Sequence, residues 1–229
     1  MRLDKFLAHH LGVSRSLINK ELKAGLITVD DVVIKLGAHQ LTLNEVVTYQ
    51  GNVIEPIIEK RYFMLHKPAG YVCSTDDPDH ATILYLIDEP MSEKLHAAGR
   101  LDLDTTGLVL LTDDGQWSHR ITSPKHQCEK EYHVTVSAPL TIDLIEQFAR
   151  GIALKNEPEL TKPAKLVIVD DYHAHLTINE GRYHQVKRMF AAVGNHVESL
   201  HRQRIGSVEL DIPEGEYRVL TESEVKAIH

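Results

Sequence analysis

Apolar positions along the start of this chain recur first at helical and then at strand spacing. Leu3, Phe6, Leu7 and Leu11 share one helical face, and Gly12 is a stop signal. Ser14 suits the N-cap of a second helix, with Leu17, Ile18 and Leu22 expected to face inward and Gly25 at the C-terminal end. Residues 26–29 and 32–34 then read as a hairpin around Asp30-Asp31. Such turns favour Asp-Gly, so Asp31 is expected to take a positive φ. Residues 41–49 read as more strand, and 51–60 as a short linker, because Pro56 opposes regular structure there.

The longer remainder carries strand patterns at 62–65, 130–136, 166–169 and 175–178, the last two joined by a turn at Asp170-Asp171. Residues 108–111 are short, apolar and bounded by turn signals, as a strand buried on both faces should be. Helical spacing occurs at 142–148, ending near Gly151, and at 184–193, stopped by Gly194-Asn195. Residues 75–80 form a polar loop, and 84–87 are apolar but too short to classify. Residues 208–210 and 217–220 close the sheet, after which Thr221 and Glu224 form a capping box for a last helix. Neighbouring strands are many and βα alternations few. The expected class is α+β: a small N-terminal α/β domain over residues 1–58, then a larger domain over 59–229 with a mixed, mostly antiparallel sheet flanked by helices. There is no internal repeat and no low-complexity tract.

Composition changes this picture little, but charge placement does. The chain has 229 residues, 42% hydrophobic and 25% charged, with a net charge of −8. It is no basic-coated protein, yet residues 1–25 hold Arg2, Lys5, Arg15, Lys20 and Lys23 against Asp4 and Glu21. Residues 181–204 hold Arg182, Lys187, Arg188, Arg202 and Arg204 against Glu198 alone. Local clusters of this kind suit phosphate contacts even on an acidic chain. The two cysteines, Cys73 and Cys128, are far apart and give neither a metal spacing nor a disulfide framework. The N-terminus lacks an apolar signal region, and no apolar run has the length of a membrane span. A monomer in the cytoplasm, with no membrane partner, is the expectation.

The chemistry concentrates in residues 99–115. A turn rich in carboxylates and hydroxyls runs from Gly99 through Arg100, Asp102, Asp104, Thr105 and Thr106 to Gly107, just ahead of the buried run. Polar side chains there are rigidly held and accessible. Three readings compete: a turn that caps a core strand, a calcium loop, and a nucleophilic or acid–base Asp. Asp102, Asp104, Thr106, Gly107 and Asp113 fall at calcium-loop positions, but the last position wants Glu and a strand interrupts the loop. Arg100, two residues from Asp102, would favour an ionised carboxylate. His173-x-His175 and the other histidines lack a carboxylate or cysteine at metal spacing, so no metal is expected.

These residues also carry a resemblance. Gly99-Arg100-Leu101-Asp102 followed by Thr105-Thr106-Gly107-Leu108 resembles the active-site signature of the pseudouridine synthases that modify ribosomal RNA. Lys67-Pro68-x-Gly70, Lys130-x-Tyr132 and Glu180-Gly181-Arg182-x-x-Gln185-Val186-Lys187-Arg188-Met189 match in the same order. The segments at 76–80 and 117–120 look closest to the branch member that acts on 16S rRNA. The N-terminal helix-helix-hairpin unit resembles the S4 RNA-binding domain, with Arg2, Lys5, Arg15, Lys20 and Lys23 as its basic residues. The resemblance implies isomerisation of uridine to pseudouridine in 16S ribosomal RNA or a small-subunit assembly intermediate, without a cofactor.

The resemblance makes Asp102 the required carboxylate and Tyr132 the ring that stacks on the base. It makes Lys187 the basic partner of Asp102, with Arg188 as second choice. Arg100 would fill the space of a flipped-out uridine or grip its phosphate, and Arg182, Arg188 and Lys67 would bind substrate. The Lys67-Pro68-Ala69-Gly70 stretch is read most simply as a rigid turn, and Asp104 as a structural turn residue. Two other functions are weighed: a non-catalytic rRNA-binding assembly factor, and a metal-dependent nuclease using Asp102, Asp104, Asp113 and Asp114.

Overall fold

The computed structural model describes residues 2–42, 45–54 and 60–228, apart from the side chain of His9. The chain divides into two compact units, residues 1–59 and 60–229.

In the first unit α1 (Leu3–Leu11) ends at Gly12, whose φ of 66° is the left-handed C-cap that glycine adopts at little cost. Ser14 Oγ accepts from the Leu17 amide at 3.3 Å and caps α2 (Arg15–Lys23). Ile18 and Leu22 are buried against Leu3, Phe6 and Leu7, but Leu17 is exposed. Its expected inward placement is thus corrected: positions 18 and 22 share a helical face, and position 17 is turned away from it.

β1 (Ile27–Val29) and β2 (Val32–Val33) form the expected hairpin. Both turn residues are left-handed, Asp30 at 46° and Asp31 at 65°. Asp30 is held there by the Val46 amide, which donates to its Oδ1 at 2.8 Å. β3 (Val47–Tyr49) and β4 (Asn52–Ile54) complete a sheet of order β2-β1-β3-β4. Strand thus starts later than residue 41 among the described residues. β4 occupies the start of the segment expected as linker, because Gln50-Gly51 turns the chain back and buries Ile54. Pro56 lies outside the described residues.

The second unit is built on one mixed sheet. Its edge and centre come from β5 (Tyr62–Lys67), β6 (His96–Ala97) and β7 (Thr106–Thr112), with the 84–87 segment forming part of a 3-10 turn. Then follow α3 (Gly115–Thr122), β8 (Lys130–Val136), α4 (Asp143–Arg150), β9 (Lys165–Ile168), β10 (His173–Ile178) and α5 (Gln185–Ala192). β11 (Val197–Ile205), β12 (Val208–Glu209), β13 (Tyr217–Val219) and α6 (Glu222–Ala227) end the chain. The strand order is β13-β5-β7-β11-β8-β10-β9, with β6 beside β7 and β12 beside β11. Only β7 and β11 pair in parallel among the described strands. Thr221 and Glu224 form the expected capping box. No described helix is long and apolar enough to cross a membrane.

β7 is buried on both faces, as its apolar run predicts. Val109 and Leu111 pack with Phe63, Leu65, Val134, Phe148 and Phe190. Leu108 and Leu110 pack on the other face with Met64, Trp117, Ile121 and Ile205. The β7·β11 approach is very close at Gly107, with φ of 107°: a Cβ there would lie 2.3 Å from the Arg202 carbonyl oxygen and 2.6 Å from its nitrogen. Glycine is required at that point of the signature for backbone contact.

β11 has no counterpart in the sequence reading, which took 197–204 only as part of a basic cluster. Register shifts between Val197 and Ser199 and between Arg202 and Arg204 break its alternation. Its interior also holds a buried arginine, so the hydrophobic period of a central strand is missing.

Candidate active site

The loop between β6 and β7 carries Asp102, and buried side chains hold backbone groups on either side of it. Arg202 is 1% exposed. It donates to Gly99 O at 2.8 Å, Arg100 O at 3.4 Å and Leu108 O at 2.8 Å. Lys67 is fully buried, and its Nζ donates to Thr105 O at 2.8 Å, Pro68 O at 2.9 Å and Leu103 O at 3.3 Å. Between these clamps the Leu101 amide donates to Cys73 Sγ at 3.3 Å. Buried cations are costly unless fully hydrogen-bonded. Here the loop carbonyls provide that bonding and are themselves fixed by it. Burial pushes the Lys67 ammonium below the usual lysine range.

Above this platform lies a cleft of about 450 Å³ lined by Arg100, Asp102, Tyr132, His184, Lys187 and Arg202, among others. The Asp102 side chain is 29% exposed. Its Oδ1 is 3.3 Å from His184 Nε2, and its Oδ2 is 3.7 Å from Lys187 Nζ. Lys187 makes its shorter contact, 2.6 Å, with Asp104 Oδ1. That hydrogen bond holds the Asp104 carboxyl below the usual carboxylate range. Tyr132 is buried from alternating strand β8, with its hydroxyl 3.5 Å from Arg202 Nη1.

His184 N-caps α5 at a φ of 47°, and Tyr183 stacks on its ring at 3.8 Å. The turn into α5 is tied by buried Gln185. Its Oε1 accepts from the Arg182 amide at 2.8 Å, and its Nε2 donates to Glu180 at 2.9 Å. This knot delivers His184 and Lys187 to the cleft.

Several expected site residues are corrected. Lys67 is fully buried and does not line the cleft, because its three donors are spent on loop carbonyls. The Arg182 guanidinium lies at the cleft wall but is committed to Glu157, Glu180 and the carbonyls of Glu159 and Leu160. Arg188 bonds Glu157 and the carbonyls of Tyr183 and Lys155, and is not the partner of Asp102. Lys187 faces Asp102 but pairs more closely with Asp104, so Asp104 is more than a turn residue.

Asp113 and Asp114 sit at the opposite end of β7 from Asp102. Asp113 pairs with Arg61 at 2.8 Å, while Asp114 caps α3 and accepts from Tyr62 at 2.9 Å. A nuclease cluster of the four aspartates does not form. The histidine expectation also changes: Glu131, His133 and His175 meet across two strands. The sequence marks no role for His184, and marks Arg202 only as one of a basic cluster. His184 stood inside a quoted motif as an unspecified position, and Arg202 was hidden by the broken pattern of β11.

In the first unit Arg2 and Arg15 both pair with Asp4, at 2.9 and 2.7 Å, and Asp4 is 2% exposed. Their charge is partly neutralised by this structural role. Lys5, Lys20 and Lys23 are exposed.

Comparison with known proteins gives this arrangement its family. Residues 61–192 match the family described as RNA pseudouridylate synthase, and residues 1–47 match the S4 domain. The chain is 59% identical over 230 aligned residues to "Ribosomal small subunit pseudouridine synthase A" of Escherichia coli (strain K12), covering 100% of both chains. It is 55% identical to the protein of that name from Vibrio cholerae, covering 100% of this chain and 99% of the other. A solved structure, "Crystal structure of pseudouridylate synthase", is 52% identical with a TM-score of 0.73 and full coverage of both chains. The chain belongs to the RNA pseudouridylate synthase family and carries an S4 domain at its N-terminus.

Proposed function

We propose that this enzyme isomerises a uridine of 16S small-subunit ribosomal RNA to pseudouridine in the bacterial cytoplasm, with Asp102 as the essential carboxylate. The observation that carries this reading is the clamped loop, which holds Asp102 at the mouth of a cleft with a buried tyrosine beside it. The RNA substrate is taken from the names of the full-length relatives. In the reaction the N1–C1′ bond breaks, the base turns, and a C5–C1′ bond forms while the C5 proton is lost and N1 gains one. Atoms and electrons balance without redox chemistry or an added group.

Chemistry at C1′ and C5 requires the nucleotide to leave its stack, at a cost of a few kcal/mol. Tyr132 offers a ring for stacking the extruded base. His184 Nε2 and Lys187 Nζ lie 3.3 and 3.7 Å from the Asp102 carboxylate oxygens, and exposed Arg100 is free to meet a phosphate or fill the vacated stack. Residues 1–58 act as an RNA-binding tether for the catalytic domain at 59–229, with Lys5, Lys20 and Lys23 as its phosphate contacts.

The test is pseudouridine mapping of 16S rRNA in a strain lacking this gene. One site is expected to disappear and to return with the wild-type gene. An unchanged map would favour the non-catalytic assembly factor.

A further inference from the structure

We propose that Glu131, His133 and His175 form a divalent-metal site of the zinc type on the sheet face opposite the cleft. His133 on β8 lies directly opposite His175 on β10 in antiparallel register. Directly opposed residues project to the same face, and so does Glu131, two positions along β8. One ligand atom from each lies within 4.8 Å of the others. The two imidazoles are stacked, with centroids 4.1 Å apart and planes 15° apart. All three residues are half-buried. The ladder on both sides fixes the backbone, and turning one imidazole out of the stack would bring both ring nitrogens onto one ion.

The surroundings suit ligation. Arg204 Nη2 contacts Glu131 Oε2 at 3.1 Å, which orients the carboxylate and leaves Oε1 for an ion. The next histidine in the row, His201, lies 6.0 Å from His133 and is engaged through Nδ1 with Thr106 Oγ1 at 2.8 Å. It is therefore outside the ligand set.

Two imidazoles and one carboxylate match the borderline donor preference of Zn²⁺, with a fourth position open to water. An ion there would join β8 to β10 behind Tyr132, which neighbours His133 on the cleft side of the same strand. It would act as a staple, separate from the isomerisation chemistry.

The experiment uses the full chain, stripped with a chelator and then dialysed, and titrated with ZnCl₂ by calorimetry. Thermal unfolding is followed in parallel. The wild type is expected to bind one zinc tightly and to gain thermal stability that chelator reverses. His133→Gln and His175→Gln should each weaken that binding by about tenfold or more, with metal-free unfolding unchanged. Because the chain has 15 histidines, only the difference between wild type and variants counts. A variant that folds poorly is replaced by Glu131→Gln and by Co²⁺ absorption, whose tetrahedral bands the wild type should show. Equal zinc binding by wild type and variants, or no tetrahedral Co²⁺ spectrum in the wild type, overturns the site.

Discussion

Asp102 is held by its neighbours' backbone rather than by its own contacts. Arg202 and Lys67 grip carbonyls on either side of it, which leaves its carboxylate facing the cleft with His184 and Lys187 in reach. Lys187 stands between two carboxylates, 2.6 Å from Asp104 and 3.7 Å from Asp102. Asp104 is 72% exposed, so its ion pair contributes little on its own. Lys187→Met is expected to lower the single-turnover rate by at least about tenfold. Asp104→Asn should stay within about fivefold of wild type, as suits an exposed pair. Rates at saturating enzyme measure both, and a larger loss for Asp104→Asn would reverse the two roles. That Asp102, Tyr132 and Lys187 meet at one cleft is legible in the sequence, because they stand at marked motif positions. The structural use of Lys67, Arg182 and Arg188 was not, because a motif records which residue is present and not where its donors go.

Two elements deliver the site, and they differ in how openly the sequence shows them. β7 reads directly as a buried strand, since Leu108 to Leu111 are apolar and bounded by turns. β11 does not, because its bulges and buried Arg202 erase the alternation. Their parallel contact depends on Gly107. Gly107→Ala would drive a Cβ to 2.3 Å from the Arg202 carbonyl oxygen, and the positive φ adds strain. The substitution is expected to cost about 3 kcal/mol or more, read as a lower denaturation midpoint, and to loosen the Arg202 clamp. A midpoint equal to wild type would contradict the tight approach. The α5 helix was legible from its apolar spacing, but the left-handed conformation at its cap was not, because position 184 is a histidine rather than a glycine or asparagine.

At the scale of the whole molecule, a chain of net charge −8 gathers exposed lysines on its N-terminal unit. Replacing Lys20 and Lys23 by Gln should weaken rRNA binding and reduce the salt slope by roughly two, one for each lost phosphate contact. Equal slopes would remove these lysines from the interface. The same unit has a built-in acid limit. Arg2, then Arg15, hold the Asp4 carboxyl at about 2, against an ordinary value of 3.8. A carboxylate lowered by folding stabilises above its unfolded value and loses that contribution as pH falls toward its folded value. Thermal unfolding of the N-terminal unit is therefore expected to weaken between about pH 4 and pH 2. Asp4→Asn should weaken the unit at neutral pH and flatten this acid dependence, whereas parallel wild-type and variant curves would contradict it. The helix-helix-hairpin order of this unit was legible from spacing and caps. The pairing of its arginines with Asp4 was not, because Asp4 falls next to Leu3 on a helix that otherwise reads as exposed at that position.

The most direct test of the account is the single-turnover rate of Asp102→Asn on 16S rRNA, measured beside its thermal unfolding and RNA affinity. The loop is fixed by Arg202, Lys67 and Cys73 rather than by the Asp102 side chain, so the variant should fold and bind RNA as the wild type does. It should form no detectable pseudouridine. Turnover by a folded Asp102→Asn comparable to that of the wild type would contradict the account.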